Sequence, residues 1–383
     1  MQEKRPDPGI FRDSKTFLID IIAGARPNFM KIAPIIRAIQ AFPLKCPGSA
    51  VRLDYRLIHT GQHYDAEMSD VFFHQLGIPE PHLNLNVGSD SQAIQTARIM
   101  VAYEKVLLDK PSDLCLVVGD VNSTMACAIT ARKANLEVAH VEAGIRSGDW
   151  SMPEEINRVV TDSISNWYFT TSLTAGEHLK QIGVREEQIL FVGNTMIDTL
   201  LVNIEHARPP KIPNGRKLQA GQFILLTLHR PSNVDDSMQL YRVLTAIGES
   251  AKNTDVIFPI HPRTRKNLGH IQGLPENIII IAPQPYLEFI WLVKGASGII
   301  TDSGGITEEA TVLGTPCLTM RDSTERLETI TVGTNELIGT DPTNLPPAID
   351  RMLSGRWKQG GVPDKWDGQA ASRIVSHLAR IFS

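Results

Sequence analysis

Residues 140–158 read His-Val-Glu-Ala-Gly-Ile-Arg-Ser-Gly-Asp-Trp-Ser-Met-Pro-Glu-Glu-Ile-Asn-Arg, the densest group of carboxylates and guanidiniums beside small residues in the chain. An apolar run over 136–141 leads into this stretch, and a helical pattern opens at Pro153, which predicts a strand, a long polar loop and the start of a helix. Open α/β proteins place their chemistry in loops at the carboxyl ends of strands. The stretch therefore predicts one part of a functional site.

The same alternation of strand and helix continues on both sides of this stretch. Short apolar runs alternate with helical patterns of 10 to 15 residues, which is typical of βαβ units on a parallel sheet. In the first half, strands are predicted at 17–23, 51–58, 114–118, 138–141, 167–169 and 189–192, and helices near 28–41, 66–76, 92–108, 123–134 and 154–165.

A second α/β series of similar size begins after Gly193. Its polar segment 208–221, with three prolines and two glycines, is interpreted as a connector within this half. Strands are predicted at 223–228, 255–259, 278–281, 298–301, 316–320 and 336–338, and helices near 235–251, 286–294, 305–313 and 369–381.

Composition limits the class of protein. With 383 residues, 42% of them apolar and 21% charged, the chain is long enough for two domains with sizeable cores. A net charge of −4 gives no overall attraction to nucleic acid or to an anionic membrane. Four scattered cysteines without a Cys-x-x-Cys motif indicate a reducing compartment, the cytoplasm. Residues 1–16 are polar and predict a mobile tail, and neither a signal peptide nor a membrane-spanning run is found.

Two turns between a strand and a helix have the composition of anion sites. Gly24 to Asn28 contains Arg26, with Lys31 one helical turn later, and suits a phosphate at an open helix N-terminus. An ordinary connecting turn is the alternative, because the glycine patterns of dinucleotide folds and P-loops are missing. In the second half, Ser303, Gly304 and Gly305 precede a helix and could cradle a diphosphate, with Glu309 one turn later able to bind ribose hydroxyls.

Three acids are candidates for acid/base chemistry. Asp120 ends a strand just before a helix, where capping that helix is the alternative role. Glu142 also ends a strand and is followed by Ala-Gly, where the backbone can approach a ligand. Glu154 has a strong structural alternative, because Ser151 to Glu154 matches a capping box that would lower the pKa of this glutamate. Local sequence therefore favours Glu142 over Glu154.

Two histidines follow strands directly. His229 and His261 each have an arginine nearby, Arg230 and Arg263, and both segments are typical of anion holders. Each histidine alone is as well explained as loop packing. No spacing of His, Cys, Asp or Glu matches a metal site, so no metal is expected.

The motifs taken together resemble those of the non-hydrolysing UDP-N-acetylglucosamine 2-epimerases. Single motifs are loose, but the ordered set is specific, and the resemblance runs from about Phe17 to the C-terminus. The motifs are Gly-Ala-Arg-Pro-Asn-Phe-Met-Lys-Ile-Ala-Pro (24–34), Gly-Gln-His-Tyr-Asp (61–65), Gly-Asp-Val-Asn-Ser-Thr (119–124), His-Val-Glu-Ala-Gly-Ile-Arg-Ser-Gly-Asp (140–149), Pro-Glu-Glu-Ile-Asn-Arg, Val-Gly-Asn-Thr-Met-Ile-Asp, Leu-His-Arg, Thr-Asp-Ser-Gly-Gly-Ile-Thr-Glu-Glu-Ala and Arg-Asp-Ser-Thr-Glu-Arg.

This resemblance implies two Rossmann-like domains with parallel sheets that face each other across a cleft, as in B-type glycosyltransferases. Residues 1–16 would then form the tail, 17–192 the first domain, 193–365 the second, and 366–383 a helix returning to the first. The family implies a homodimer that interconverts UDP-GlcNAc and UDP-ManNAc without a cofactor. Carried over by motif, Asp120, Glu142 and Glu154 would be the acid/base set and His229 would assist the leaving diphosphate. The nucleotide would be held by Arg26, Lys31, Gln284, Phe289, Ser303, Gly304, Gly305, Glu309 and Arg326.

The chemistry explains why several carboxylates are needed. The hydrogen on carbon 2 of the sugar becomes acidic as UDP departs from carbon 1, and re-addition of UDP requires a proton on the opposite face. Arginine, lysine and histidine stabilise the diphosphate charge.

The chain departs from the family pattern at Ser232, where many members have glutamate, and at Asp65, where substrate-regulated members have glutamine. Asp65 leaves allosteric activation by substrate open. The remaining alternatives are a hydrolysing epimerase that releases UDP and ManNAc, an epimerase for a related UDP-acetamido sugar, a B-type glycosyltransferase and a catalytically silent nucleotide-sugar sensor.

Overall fold

Two parallel sheets organise the chain in the computed structural model, which describes residues 15–46, 51–61, 76–269 and 273–383. The strands are β1 (Lys15–Ala23), β2 (Val51–His59), β3 (Leu83–Asn84), β4 (Leu114–Val118), β5 (Val138–Val141), β6 (Trp167–Thr170), β7 (Ile189–Phe191), β8 (Phe223–Thr227), β9 (Asp255–Pro259), β10 (Ile278–Ile281), β11 (Gly298–Thr301), β12 (Cys317–Thr319) and β13 (Asn335–Leu337). The first sheet has the order β3-β2-β1-β4-β5-β6-β7 and the second the order β10-β9-β8-β11-β12-β13.

Helices cover both faces of each sheet. In the described part of the chain they are α1 (Arg26–Lys45), α2 (Gln92–Asp109), α3 (Asn122–Lys133), α4 (Pro153–Ile164), α5 (Leu173–Gln181), α6 (Thr195–Asn203), α7 (Pro231–Val234), α8 (Ser237–Ala251), α9 (Pro262–Leu268), α10 (Tyr286–Gly295), α11 (Gly304–Leu313), α12 (Leu327–Thr331), α13 (Leu345–Leu353) and α14 (Ala370–Ile381). Short 3-10 turns lie at Glu186–Gln188, Ile204–His206, Pro213–Gly215 and Pro342–Asn344.

Burial on both faces explains why the strands were predictable. Every residue of β4 and of β8 is buried, and the two faces of each sheet belong to separate hydrophobic clusters. A strand covered on both sides is a continuous apolar run. The α/β class with two parallel sheets is therefore confirmed, and each predicted strand is present with its ends within two residues of the prediction.

Some elements differ from the prediction. β1 begins at Lys15, so the last two residues assigned to the tail pair with β2, while 1–14 lie outside the described residues, as does almost all of the predicted helix at 66–76. The two-residue strand β3 was not predicted, and neither were helices α5, α6, α7, α9, α12 and α13. α13 shows one reason: Pro346 and Pro347 lie in its first turn, where the missing N–H groups cost little, yet prolines normally indicate a break.

The chain crosses between the two halves at neighbouring points. Gly193 follows β7 with φ +97°. A β-carbon on it would lie 2.0 Å from the carbonyl oxygen of Lys365, which lies where the chain returns from the second half to the first. This close approach of the two backbones requires glycine. Trp366 follows at once, is buried, and donates from Nε1 to the carbonyl of Thr171 at 3.1 Å. Both crossings are thus held against the edge of the first sheet.

The last helix packs on the first half of the chain. Ile374, Val375 and Leu378 of α14 share a hydrophobic cluster with β1, and the ring of Phe382 stacks on that of Phe17 at 4.2 Å. The N-terminus of α14 has no side-chain cap of its own. Instead, the carboxylate of Asp198 on α6 accepts hydrogen bonds from the backbone N–H groups of Ala370 (3.1 Å) and Ala371 (2.7 Å).

Within the described residues, no helix is long and apolar enough to cross a membrane.

Asp198→Ala should destabilise the protein by about 1–2 kcal/mol, the usual loss for a helix cap. Burial outweighs the two backbone hydrogen bonds and raises the pKa of Asp198 to about 6, from an ordinary value of 3.8. The contribution of this carboxyl is therefore complete below about pH 4 and declines as pH rises through 6. Urea unfolding of Asp198→Ala should show a larger loss at pH 5 than at pH 8. The exposed Asp364→Ala serves as control and should change stability at neither pH.

Candidate active site

Glu142 occupies the carboxyl end of β5 in a strained backbone conformation. Its φ is +74°, a left-handed value that costs a non-glycine residue about 1 kcal/mol or more. Its backbone N–H donates to the carbonyl of Phe169 on the adjacent strand β6 at 2.9 Å, which holds the strained turn. The side chain is buried. Such strain, enforced by the sheet, is typical of functional residues.

Two cations from different halves of the chain bind the Glu142 carboxylate. Lys31 of α1 pairs with its Oε2, and Arg326, which precedes α12, pairs with its Oε1. The Nε of Arg326 also lies 3.2 Å from Oε1 of Glu308 on α11. All four side chains are buried. The Glu142 carboxylate thus joins α1 of the first half to the 321–326 segment of the second.

Opposing effects set the acidity of these carboxyls. Burial alone would raise the pKa of Glu142, but Arg326 and Lys31 lower it to about 2. For Glu308, burial and the nearby Glu142 outweigh Arg326 and raise the pKa to about 7. One of the two acids is therefore firmly ionised, while the other titrates near neutrality.

Asp120 lies at the end of β4 and binds an arginine rather than a helix. α3 begins after Val121 without a side-chain cap, so the helix-capping interpretation of Asp120 was wrong. Its Oδ2 instead accepts from Nη2 of Arg158 at 2.5 Å, and Nη1 of Arg158 donates to Glu155 at 2.8 Å. Burial opposes the charge of Arg158, but Asp120 and the other nearby acids raise its pKa above the usual value.

Glu154 lies in the first turn of α4 and does not form the predicted capping box. The helix starts after Met152 without a side-chain cap, because the hydroxyl of Ser151 donates to Asp149 at 2.6 Å. The neighbouring Glu155 takes the structural role and accepts from two loop amides. Glu154 is half-buried, and its charge acts on Arg230 of the second half. The carboxylate of Glu154 is therefore close enough to Arg230 for their charges to interact.

Asp302 fixes His229. Nδ1 of His229 donates to Oδ1 of Asp302 at 2.8 Å, and Asp302 also accepts from the backbone N–H groups of His229 and Arg230 at 3.0 and 2.9 Å. Nε2 is the remaining ring nitrogen of this half-exposed histidine. Burial would raise the pKa of Asp302, but the bond to His229 and the backbone bonds lower it. The ring of His261 lies 5.7 Å from that of His229 and is exposed, with Nδ1 accepting from Arg263 N–H.

A cavity of about 330 Å³ opens beside the Glu142 pairs, within the range of small-molecule sites. The N-terminus of α11 forms one wall. Of the predicted residues, those that line the cavity are Lys31, Gln284, Phe289, Ser303, Gly305, Glu309 and Arg326. The remaining lining residues were not predicted: Met30, Met196, Tyr286, Ile306 and Glu308.

Other predicted residues lie outside this cavity. Asp120, Glu154, His229 and His261 do not line it, and Gly304 begins α11 just behind its wall. The side chain of Arg26 and the whole of Asp65 fall outside the described part of the structure.

Glu309 is a buried carboxyl with a raised pKa. It is buried and accepts from the hydroxyl of Tyr286 at 3.1 Å, yet burial and the neighbouring Glu308 raise its pKa to about 8. A carboxyl that keeps its proton at neutral pH can both donate and accept hydrogen bonds.

Sequence reasoning missed several charged residues of the site. The sequence contained a signal for two of them. Arg158 follows Glu154 by four residues and so lies on the same helix face, and Asp302 directly precedes Ser303. The partners of these residues lie 38 and 73 positions away, and no local pattern connects them. In the described residues, no group of three His, Cys, Asp or Glu side chains could hold a metal ion.

Fold and cleft together define an α/β protein with two parallel-sheet halves and a cation-lined site, the arrangement of B-type glycosyltransferases. The glycosyltransferase of kitacinnamycin shares this fold, with a TM-score of 0.55 at 11% identity over 96% of this chain and 98% of that one. The family model described as UDP-N-acetylglucosamine 2-epimerase matches residues 48–379, and the chain belongs to this family.

Relatives with assigned activities agree with this membership. The UDP-N-acetylglucosamine 2-epimerase of Methanocaldococcus jannaschii is 42% identical, with 94% of this chain and 98% of the relative covered. Its structure in complex with UDP-GlcNAc and UDP has a TM-score of 0.81, with coverage of 95% and 99%. The UDP-2,3-diacetamido-2,3-dideoxy-D-glucuronate 2-epimerase of Pseudomonas aeruginosa is 39% identical, with coverage of 94% and 99%.

Removing Arg326 should destabilise the protein in a pH-dependent way. Arg326→Gln leaves Glu142 and Glu308 buried without this counter-charge, a change that typically costs 3–5 kcal/mol at neutral pH, as an order of magnitude. Without Arg326 the pKa of Glu142 rises from about 2, and that of Glu308, already about 7, rises further above its unfolded value. In the variant, the stability that these two carboxyls contribute is fully present below their pKa in the unfolded chain, near 4.5. It is lost as the pH rises through their pKa in the folded protein.

Urea unfolding should therefore show a smaller loss for Arg326→Gln at pH 5 than at pH 8. Arg351→Gln, which removes a half-exposed partner of Glu336, is the matched control and should cost under about 1 kcal/mol at both pH values. An equal loss at the two pH values would mean that Arg326 stabilises the protein by packing alone.

Proposed function

We propose that the protein is a non-hydrolysing UDP-N-acetylglucosamine 2-epimerase that interconverts UDP-GlcNAc and UDP-ManNAc. The observation that carries the proposal is Glu142, an acid on a strained strand end, held between Lys31 and Arg326 beside a nucleotide-sized cavity. Three buried cysteines and the exposed Cys46, all unpaired, support a reducing compartment, so we place the enzyme in the cytoplasm.

The cavity accounts for each part of a uridine diphosphate. Phe289 and Gln284 provide an apolar face and an amide for the base, and the Glu309 carboxyl suits the ribose hydroxyls. The N-terminus of α11 offers the diphosphate the first-turn backbone N–H groups of Gly304 and Gly305, the side chain of Ser303 and a positive helix end.

Binding of a diphosphate also changes Glu142. The phosphate oxygens compete with the Glu142 carboxylate for Lys31 and Arg326, because both cations line the same cavity. Once these cations turn to the diphosphate, the pKa of Glu142 rises from about 2, since they are what lowers it against burial. Substrate thereby converts a fixed anion into a carboxyl that can exchange a proton.

The proposed reaction is an elimination followed by re-addition. A carboxylate removes the proton from carbon 2, the electron pair of that bond forms the carbon 1–carbon 2 double bond, and the bond from carbon 1 to oxygen breaks as UDP leaves. Re-addition of UDP to the 2-acetamidoglucal, with a proton delivered to the other face, gives the epimer. In this proposal Asp120, Glu142 and Glu154 supply the acid/base groups, and His229, held through Nδ1 by Asp302, assists the departing diphosphate.

A second candidate substrate has its own support. The Pseudomonas aeruginosa relative acts, by its name, on a UDP-diacetamido-glucuronate, and it is nearly as similar to this chain as the methanogen enzyme. We therefore propose UDP-GlcNAc as the first substrate to be assayed and the diacetamido uronate as the second.

Incubation with UDP-GlcNAc in heavy water should place deuterium at carbon 2 of the recovered nucleotide sugars and should accumulate UDP-ManNAc, both measured by proton NMR. Elimination requires exchange of that hydrogen with solvent. Release of UDP and free ManNAc without UDP-ManNAc would instead identify a hydrolysing enzyme. Absence of deuterium at carbon 2 would falsify the proposal for this substrate, and the same assay with the diacetamido uronate tests the second candidate.

Glu142→Gln and Glu154→Gln should both lose most turnover, by about a hundredfold or more, as expected for acid/base groups. They should differ in affinity for UDP, measured by isothermal titration calorimetry. Glu142→Gln should bind UDP about tenfold more tightly, because no carboxylate then competes for Lys31 and Arg326. Glu154→Gln, which contacts neither cation, is the matched control and should bind UDP like the wild type. Weaker UDP binding by Glu142→Gln would contradict the competition described above.

A further inference from the structure

Arg321 is a buried cation with an unused donor. It follows β12, is 5% exposed, and donates from Nη2 to Oε2 of Glu325 at 2.7 Å. Its Nη1 is also buried but has no hydrogen-bond partner among the residues that the structure describes. A buried guanidinium nitrogen without a partner is costly, so an acceptor at this place is expected to come from a bound molecule.

The unused nitrogen lies beside the N-terminus of α11. A β-carbon built on Gly304, the first residue of this helix, would lie 3.9 Å from Nη1 of Arg321 and 2.9 Å from Oε1 of Glu325. The backbone N–H groups of the first helical turn have no partners within the helix. Arg321 and the helix end therefore offer donors to the same small region.

Three arginines, Arg230, Arg321 and Arg326, lie around this region and interact with the same carboxyl, Glu325. Burial lowers the pKa of Arg230, and the nearby Arg321 lowers it further. Burial would raise the pKa of Glu325, but Arg326 and Arg321 lower it to about 2, so this one carboxylate serves two arginines. Arg326 contributes two more buried guanidinium nitrogens, Nε and Nη1, that make no hydrogen bond within the described residues. Together these groups match an acceptor with several negative oxygens.

We infer that Arg321 is a substrate-binding residue that holds the diphosphate through Nη1, together with the N-terminus of α11 and Arg326. The inference rests on the proposed nucleotide site and adds a ligand to it. Glu325 keeps the guanidinium plane in place by its bond to Nη2. Arg321 does not line the 330 Å³ cavity itself but adjoins it at the N-terminus of α11, so the chemical class it would recognise is the pyrophosphate group and not the uridine.

Binding measurements with two ligands test this role. Arg321→Gln should weaken UDP binding by about 10- to 100-fold in calorimetry, the loss expected for a charge-assisted hydrogen bond in a buried site. Binding of uridine, followed by saturation-transfer NMR, should stay unchanged, because uridine has no phosphate. Arg321→Lys should recover part of the UDP affinity, since it retains the charge. Arg351→Gln, an arginine of the same half on the surface, is the matched control and should bind both ligands normally.

The outcomes separate this inference from the proposed function. An equal loss of UDP and uridine binding, or normal UDP binding by Arg321→Gln, would overturn the role of Arg321. If Arg321→Gln does not fold, the test is made with Arg321→Lys. A loss of affinity for UDP but not for uridine then supports the role of Arg321, and unchanged affinity for UDP overturns it. The wild type could bind UDP through Arg321 and yet exchange no hydrogen at carbon 2. That result would support this inference and overturn the proposed function. Failure of wild type to bind UDP would overturn both.

Discussion

The pairing of Glu142 with Lys31 and Arg326 is the interaction on which the site depends. Three charged groups are buried together. The free-energy cost of removing them from water is offset because the Glu142 carboxylate forms an ion pair with each of the two cations. The pairing also needs both halves of the chain in place, since Lys31 comes from α1 and Arg326 from the segment after β12. The crossing at Gly193 and the docking of α14 on the first half therefore serve the site as much as the fold.

Other buried carboxylates hold the loops that carry the groups proposed to react. Asp162 of α4 binds His140, Arg146 and the N–H of Gly144, and so fixes the turn that follows Glu142. Asp302 does the same for His229. Of the three acids proposed to react, Asp120 and Glu142 lie at strand ends and Glu154 lies in the first turn of α4. The strained Glu142 backbone persists because many contacts determine the loop around it.

Sequence predicted the elements whose pattern is local. Strands buried on both faces appear as apolar runs, and the ordered motifs identified which strand ends carry Asp120, Glu142 and His229. The two capping interpretations failed because a cap depends on which partner is nearest in space: Arg158 takes Asp120, and Asp149 takes the hydroxyl of Ser151. An unused donor such as Nη1 of Arg321 has no counterpart in sequence at all, since its lack of a partner is a property of the packed structure.

Glu308, the acid next to the Glu142 pairing, influences how the site accommodates added negative charge. Lys31 and Arg326 are paired with Glu142 and Glu308, so a diphosphate brings negative charge into a buried group of side chains that already contains two carboxyls. Glu142 is held ionised by both cations, but the pKa of Glu308 is raised to about 7, mainly by burial. Glu308 therefore takes up a proton at a lower free-energy cost than Glu142 does when a diphosphate binds. The same burial that makes the site strong for anions thus also gives it a carboxyl able to neutralise part of the added charge.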